Sequence, residues 1–441
     1  VQVSSEAIGI GILGMGTVGQ GVSKILSENS SLVESRAGRP LRLIAAAVRD
    51  TSKIRAHLSN ETTISNNPNE LLTNPEIEII IEAMGGIEPA RSLTLKALQA
   101  GKHVVTANKA LLADHGEEIF AAARAAGRAV CFEAAVGGGI PIIQGLQVGL
   151  AANRIKSISA ILNGTCNFIL TAMTRDCKAY ADVLAEAQRL GYAEADPTMD
   201  VDGTDTAHKL AVLVQIAFGT TVTTNQISRR GIDRLEAADI RFAGELGYVI
   251  KLLARAIHRE SGLELRVAPT LVPENSQLAD ISDSYNAIRV IGDAVGDTLF
   301  SGRGAGMLPT ASAVVSDVIG IAAEPGSRVR QSGLLWRSET SQMPLIEPNL
   351  HISRFYLRFQ IPDRPGQLAH LARILGENGI SIASVIQHEP ESNATDPGWV
   401  PLIIMTHQAS CGAMQSALSL IRQTCDLHGE PVVLEVEGRS S

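Results

Sequence analysis

The chain has 441 residues, 45% of them hydrophobic and 19% charged, with a formal net charge of −8. Such a length predicts two or three domains with sizeable cores, and a negative balance with scattered basic residues excludes a general nucleic-acid footprint, so small molecules are the expected partners. No apolar stretch reaches membrane-spanning length, the start lacks a leader pattern, and Cys131, Cys166, Cys177, Cys411 and Cys425 show neither zinc-ligand spacing nor a disulfide framework, so a reducing, cytoplasmic setting is expected.

Residues 7–13 alternate as a strand through Ile8, Ile10 and Ile12, and Val18, Val22, Ile25 and Leu26 take up helical spacing from Thr17. Between them lies Gly14-Met15-Gly16-Thr17-Val18-Gly19, a G-x-G-x-x-G loop in the strand–turn–helix setting that a dinucleotide pyrophosphate requires. Gly14 permits the turn, Gly16 lets backbone approach phosphate, and Gly19 lets helix and strand pack closely. The next apolar run, 41–48, ends in Arg49-Asp50 with Lys53 close behind. Cations at that position suit a ribose 2′-phosphate and favour NADP, while Asp50 keeps NAD open and a solvated Arg-Asp pair is the plain alternative.

Strand patterns at 77–82, 103–106 and 129–134 alternate with helical patterns at 91–99 and 117–126, which predicts an α/β, doubly wound parallel sheet. Met84-Gly85-Gly86 and Thr106-Ala107-Asn108-Lys109 follow strands, so Lys109 is expected near the cofactor. The glycine run 136–141 reads as a domain junction with Pro141 opening a helix. A second domain then begins, with a strand at 157–162 and helices at 167–173 and 180–190, the latter closed by Gly191. The glycine loop 301–306 precedes a helix at 311–322 that returns the chain to the first domain, a plain hinge being equally open there, and 337–349 reads as a linker. In the tail, a strand at 354–360, a helix through Leu368, Leu371, Ile374 and Leu375, strands at 380–386 and 400–405, and a helix at 413–421 after the loop 391–398 form a ferredoxin-like module. The resulting division is a dinucleotide domain at 1–150 completed by 305–330, a substrate and dimerisation domain at 151–304, a linker at 331–350 and a tail module at 351–430.

The densest polar segment runs from Gly191 to Lys209 and holds Glu194, Asp196, Asp200, Asp202 and Asp205. Pro197 argues for loop in its first part, whereas Gly203 and the apolar run 210–218 put Asp205 and Lys209 on one helix face at i and i+4. A surface salt bridge is the bland reading of that pair. The functional reading is a carbonyl reduction, in which a lysine beside a carboxylate protonates the developing alkoxide and another carboxylate, Glu194, holds a substrate ammonium. His208 points about 100° away and reads as packing; Cys166 has no activating base in the pattern and reads as a small buried thiol.

These residues resemble the homoserine dehydrogenase family: the dinucleotide loop, Thr106-Ala107-Asn108-Lys109, Glu133-Ala134-Ala135-Val136-Gly137-Gly138-Gly139-Ile140-Pro141, Asn163-Gly164-Thr165-Cys166-Asn167 and the 191–209 segment recur in the family's order across about the first 320 residues. The tail resembles an ACT domain, as in the longer single-function members, and no kinase-like segment precedes the loop. The resemblance implies a Rossmann domain, an α+β substrate and dimerisation domain and a C-terminal ACT domain, with reversible NAD(P)H-dependent reduction of L-aspartate 4-semialdehyde to L-homoserine on the way to threonine, methionine and isoleucine. It implies Lys209 as proton donor, Asp205 as its orienting partner, Lys109 as a second cation, Glu194 as ligand of the substrate amino group, and contacts to the cofactor from Thr106, Lys109 and Gly304. It also implies a monovalent cation, sodium or potassium, on Glu133, Val136, Gly138 and Ile140, mostly through main-chain carbonyls. Threonine feedback would act at Asp363, Gly366, Asn378 and Ile380, and a homodimer or homotetramer is expected. Two other readings compete: an NAD(P)-sensing, amino-acid-binding regulator whose catalytic site has decayed, and a dehydrogenase of a different amino-acid semialdehyde or 2-oxo acid. The intact lysines and carboxylates count against decay.

Overall fold

In the computed structural model, which describes residues 6–55, 57–58, 61–337, 342–388 and 398–438, β1 (Ile8–Leu13) is buried along its whole length, as a strand covered on both faces of a parallel sheet must be. Five further parallel strands, β2 (Leu41–Ala47), β3 (Thr63–Ser65), β4 (Ile77–Glu82), β5 (His103–Thr106) and β6 (Val130–Cys131), complete the sheet in the order β3-β2-β1-β4-β5-β6. The order reverses between β1 and β4, and ligands of doubly wound sheets bind beyond the carboxyl ends of the strands at such a reversal. The glycine loop leaves β1 there, and Met84-Gly85-Gly86 leaves β4 beside it. The NAD-binding fold expected from the sequence is therefore the fold observed.

The chain divides into two compact units, the first made of residues 1–164, 205–227 and 285–343, the second of 165–204, 228–284 and 344–441. In the first, helix Met307–Ala323 contributes Ala311, Val314 and Val318 to one apolar cluster with Ile10, Ile12 and Val22, which closes the dinucleotide sheet with a late segment of the chain. The same unit carries three antiparallel strands, with Tyr285–Gly292 between Gly296–Arg303 and Ile155–Ile161. Three sequence expectations change. The strand expected at 129–134 stops at Cys131, because Glu133 to Ala135 coil into a 3-10 turn whose Glu133 N–H donates to the Asp317 carboxylate. The helix expected from Glu117 is preceded by a further helical segment from Lys109, the two meeting at a kink where His115 has non-helical angles (φ −130°, ψ 18°), and the Asn108 side chain accepts from the Leu111 N–H as the cap of the first. Ser301 to Arg303 are strand rather than glycine loop, being paired in register with 285–287.

The second unit pairs Tyr248–Arg259 with Gly262–Pro273 along a long antiparallel hairpin. In its tail, strands Val432–Val436, Ile352–Pro362, Trp399–Thr406 and Ile382–Gln387 lie side by side in that order, with helices Gln367–Glu377 and Cys411–Thr424 packed on the sheet. This is the ferredoxin-like arrangement. Leu357, Phe359, Leu402 and Ile404 are fully buried against Leu375, Ala417 and Ile421, each large apolar side chain contributing about 2 kcal/mol. The fourth strand, Val432–Val436, was not foreseen. It also pairs in parallel with Gly262–Pro273, opposing Thr270 to Glu435, and Glu435 meets the buried Arg266 at 2.8 Å, while Arg266 meets Glu264 at 3.0 Å. The expected loop 391–398 and residues 338–341 of the expected linker lie outside the described residues, Gly398 excepted. Among the described residues no single helix is long and apolar enough to cross a membrane, and the five cysteines are free thiols.

Candidate active site

The dinucleotide loop is built as its glycines require. Gly14 has a φ of +96°, and a Cβ there would lie 2.7 Å from the Ala83 carbonyl oxygen; at Gly19 it would lie 2.3 Å from the Gly14 oxygen. Both positions are closed to side chains by protein backbone. Gly16 differs, since its Cβ would meet nothing within 4 Å, so the open space there faces away from the protein. No side chain caps helix Thr17–Glu28, which leaves its first N–H groups for an anion. Met15 and Val18 belong to the apolar core, so they offer a phosphate their backbone only. The two kinds of glycine predict different variants. Gly19→Ala should cost about 1–3 kcal/mol of unfolding free energy through overpacking, whereas Gly16→Ala should keep its melting temperature and lose cofactor affinity, as read by nicotinamide fluorescence.

Beyond β2, Arg49 and Lys53 are exposed. Asp50 is occupied: its carboxylate accepts from the Ser52 N–H at 2.9 Å and the Ser52 hydroxyl at 2.6 Å, bonds that hold it below the usual carboxylate range. The loop is folded back by Arg55, which donates to the carbonyls of Asp50 and Lys53.

Beyond β4, the fully buried Glu82 accepts from the Met84 and Gly85 N–H groups and from the Thr106 hydroxyl, at 2.9, 3.3 and 2.6 Å. Thr106 therefore has its side chain committed to protein and can meet a cofactor only through backbone. Its hydroxyl also accepts from the Asn108 N–H, and Asn108 donates to the Gly86 carbonyl at 2.6 Å before capping the helix that Lys109 begins. A buried carboxylate, a hydroxyl and an amide thus fix the site of Lys109.

Helix Thr204–Phe218 brings the second lysine. Asp205 and Lys209 share a face as the spacing requires, with the Lys209 Nζ 2.7 Å from the Asp205 Oδ2. The same ammonium donates to the Leu162 carbonyl at 2.7 Å. Lys109 approaches the other carboxylate oxygen, Oδ1, at 3.0 Å, and the Asn163 amide donates to Oδ2 at 2.9 Å. Burial alone would push the Asp205 carboxyl up, but the two ammonium groups and the bonds from Lys209 and Asn163 hold it well below the carboxylate range. The surface-salt-bridge reading fails, because Asp205 is 7% exposed and serves two lysines. Lys209 uses two of its three donors on protein, which leaves one N–H to offer an oxygen.

Sequence reasoning joined Asp205 to Lys209 and placed Lys109 near a cofactor. It missed Glu82 and Asn108 as builders of the site and gave no role to Asn163, although the last stood inside a quoted motif. Glu194 lies in the second unit, exposed, on the loop after helix Tyr180–Arg189. His208 is buried, as is Cys166, whose thiol donates to the Asp200 carbonyl at 3.2 Å.

In the segment 133–140, the Glu133 carboxylate accepts from the N–H groups of Ile143 and Gln144, so its side chain caps the following helix, and burial pushes that carboxyl up from its ordinary value. The Ile140 carbonyl accepts from the Ile142 N–H. Gly138 has a φ of +56° and lies against Gly304, which in turn abuts the fully buried Asn286; neither polar atom of that amide has a protein partner. Such an orphaned amide fits a water or a hard cation nearby. Among the described residues no group of three or more His, Cys, Asp or Glu side chains could hold a metal. In the tail, Gly366 has a φ of +95°, the Asp363 N–H donates to the Gly398 carbonyl, and Asn378 donates to Ile374. Ile380 points into the apolar core, so only its backbone can face a ligand.

Comparison with known proteins agrees with this geometry. The homoserine dehydrogenase family profile matches residues 141–319, the homoserine dehydrogenase NAD-binding profile 14–133 and the ACT profile 355–424. A homoserine dehydrogenase of Pseudomonas aeruginosa is 44% identical over 98% of this chain and 99% of its own. The crystal structure of a homoserine dehydrogenase from Thiobacillus denitrificans superimposes with a TM-score of 0.92 at 42% identity, covering 98% of this chain and 99% of that one. A hyperthermophilic archaeal homoserine dehydrogenase solved with NADPH gives 0.61 at 26% identity, over 71% of this chain and 97% of its own. With a nicotinamide-binding fold, paired lysines on one buried carboxylate and a tail of ACT architecture, the chain belongs to the homoserine dehydrogenase family.

Proposed function

We propose that the Lys209–Asp205–Lys109 cluster carries out the proton transfer of the family's reaction, the reversible NAD(P)H-dependent reduction of L-aspartate 4-semialdehyde to L-homoserine. The observation that carries this reading is the single N–H that Lys209 keeps after donating to Leu162 and Asp205. When bound, the nicotinamide exchanges a hydride with the substrate carbon. As the carbonyl becomes an alkoxide, Lys209 gives its proton to that oxygen; in the oxidative direction it takes the hydroxyl proton back. Asp205 positions both lysines, and Lys109 adds positive charge beside the reacting oxygen. Glu194 receives the substrate ammonium, a role that rests on its motif.

Gly14 to Gly19, the backbone of Thr106, Lys109 and Gly304 hold the cofactor. NADP is preferred because Arg49 and Lys53 are exposed while Asp50 is tied to Ser52. The double variant Arg49→Ala/Lys53→Ala should raise the KM for NADP at least tenfold, the equivalent of about 1.4 kcal/mol or more, and leave that for NAD within about twofold. A monovalent cation sits on carbonyls of the 133–140 segment, with Glu133, Val136, Gly138 and Ile140 as its residues; the orphaned Asn286 amide nearby supports a polar occupant. Threonine acts through the ACT domain at Asp363, Gly366, Asn378 and Ile380, and the protein assembles as a homodimer or homotetramer in the cytoplasm. The division at 1–150 with 305–330, 151–304, 331–350 and 351–430 remains our partition into functional domains.

The experiment is nicotinamide absorbance with L-homoserine and NADP or NAD, with and without threonine. Turnover with NADP supports the reading. No turnover by folded protein with either cofactor would return weight to the sensor or to another semialdehyde.

A further inference from the structure

We propose that Asn163 is a positioning residue of the acid–base cluster: its amide orients the Asp205 carboxylate and keeps the remaining N–H of Lys209 directed at the substrate oxygen. The proposal rests on Lys209 being the proton donor. Asn163, Leu162, Lys109, Asp205 and Lys209 all belong to the first unit.

Strand Ile155–Ile161 sets the place. Its last residue pairs with Ala287 of the neighbouring strand, and Leu162 and Asn163 follow directly, 0% and 4% exposed. These two consecutive residues present opposite polarity to opposite partners. The Leu162 carbonyl accepts from the Lys209 ammonium at 2.7 Å, and the Asn163 Nδ2 donates to the Asp205 carboxylate at 2.9 Å. Asp205 and Lys209 also bond each other at 2.7 Å, so each member of the ion pair is tied to the strand end as well as to its partner. An asparagine that only filled space, or only began helix Gly164–Asp176, has no need of this match.

The match decides how the carboxylate is shared. Each carboxylate oxygen offers about two lone-pair directions. Asp205 Oδ2 uses them on Lys209 and Asn163, which leaves Oδ1 for Lys109 at 3.0 Å. Without the amide, Oδ2 has room for both ammonium groups, and the carboxylate is free to turn and carry Lys209 with it. The Lys209 proton also faces two bases, Oδ2 at 2.7 Å and the substrate oxygen. A hydrogen bond donated to a carboxylate oxygen makes that oxygen less basic. Burial pushes the Asp205 carboxyl up, and the two lysines together with the Asn163 bond hold it below its ordinary range. In the reductive direction the Nζ–H bond therefore breaks towards the alkoxide and an O–H bond forms there. Lys209 is left as a neutral amine, and Asp205 stays ionised.

In assays of the full chain, Asn163→Ala is expected to lower kcat about tenfold or more, with KM for homoserine and for NADP within about threefold. Proton donation should then limit the rate more than in wild type, so the solvent deuterium effect on reduction of L-aspartate 4-semialdehyde should grow. Asn163→Ser should lose as much, because its hydroxyl caps a helix as well as an amide does but is too short to reach Asp205. In an Asp205→Asn background, Asn163→Ala should cost no more than about threefold further, since its effect passes through Asp205. The same cycle, followed by denaturant unfolding without substrate or cofactor, should show about tenfold or greater coupling in the unfolding equilibrium. A raised KM for homoserine at unchanged kcat would make Asn163 a substrate ligand, and wild-type kcat in Asn163→Ser would make it a helix cap; either overturns the proposal. So does a loss in the Asp205→Asn background as large as in wild type, or an unfolding cycle without coupling. If Asn163→Ala does not fold, Asn163→Ser takes its place in both cycles. Coupling intact in a protein without homoserine turnover would defeat the proton-donor reading and spare the contact.

Discussion

Lys209→Ala is expected to lower kcat for homoserine oxidation by about 10³-fold or more, at the upper part of the range for loss of a positioned acid–base group. KM for cofactor should stay within a few fold, because the dinucleotide loop is built on β1 and its glycines and takes no contact from this side chain. The effect is expected to be large because no other lysine is held in the position of Lys209. Lys109 contacts Oδ1 of the shared carboxylate, whereas Lys209 is held between Oδ2 and the Leu162 carbonyl. Circular dichroism and cofactor fluorescence establish that the variant is folded, and stopped-flow absorbance measures the chemical step. Turnover within tenfold of wild type would remove Lys209 from the role assigned to it.

Asp205→Asn is expected to reduce kcat by about 10²-fold and to destabilise the protein by about 1–3 kcal/mol at neutral pH, the cost of leaving buried donors without their acceptor. A neutral amide cannot hold two ammonium groups, and its NH2 would face donors in either orientation, Lys109 on one side or Lys209 and the Asn163 amide on the other. The pH dependence follows from the direction of the shift. The folded-state pKa of Asp205 lies below its ordinary value of 3.8, so the stability the carboxylate contributes is fully present above about pH 4 and is lost as pH falls through the folded value. The stability gap between wild type and Asp205→Asn should therefore be constant from pH 5 to 7 and shrink below pH 4, as followed by denaturant unfolding. A gap that closes between pH 5 and 7 would mean that Asp205 titrates there and is not held ionised by the lysines.

Sequence reading reached the parts of this protein whose cause is local. The dinucleotide loop was legible because its glycines sit between a period-two run and a 3.6-period run, and each of those patterns is written in neighbouring residues. The same is true of Asp205 and Lys209, which one helix turn brings together whatever the rest of the chain does. Boundaries were less legible. Lys109 opens a helical segment that ends at the kink at His115, ahead of the expected helix at Glu117, and its start is set by the cap of Asn108. Residues 132–134 read as strand by composition, yet Glu133 is drawn into a turn by Asp317, a partner supplied by a helix near the end of the first unit.

By itself, the sequence determined the nicotinamide-binding class, the pairing of Asp205 with Lys209 and the ferredoxin-like tail, since those depend on periodicity, capping and short-range spacing. Only the tertiary structure decided that Lys109 and Lys209 share one buried carboxylate, that Glu82 and Asn108 hold the first of them in place, and that the tail's last strand joins both Ile352–Pro362 and Gly262–Pro273. The reason is physical: these contacts depend on sheet register and on side chains far apart in the chain meeting in a water-poor interior, where a charge or amide is tolerated only beside its partner.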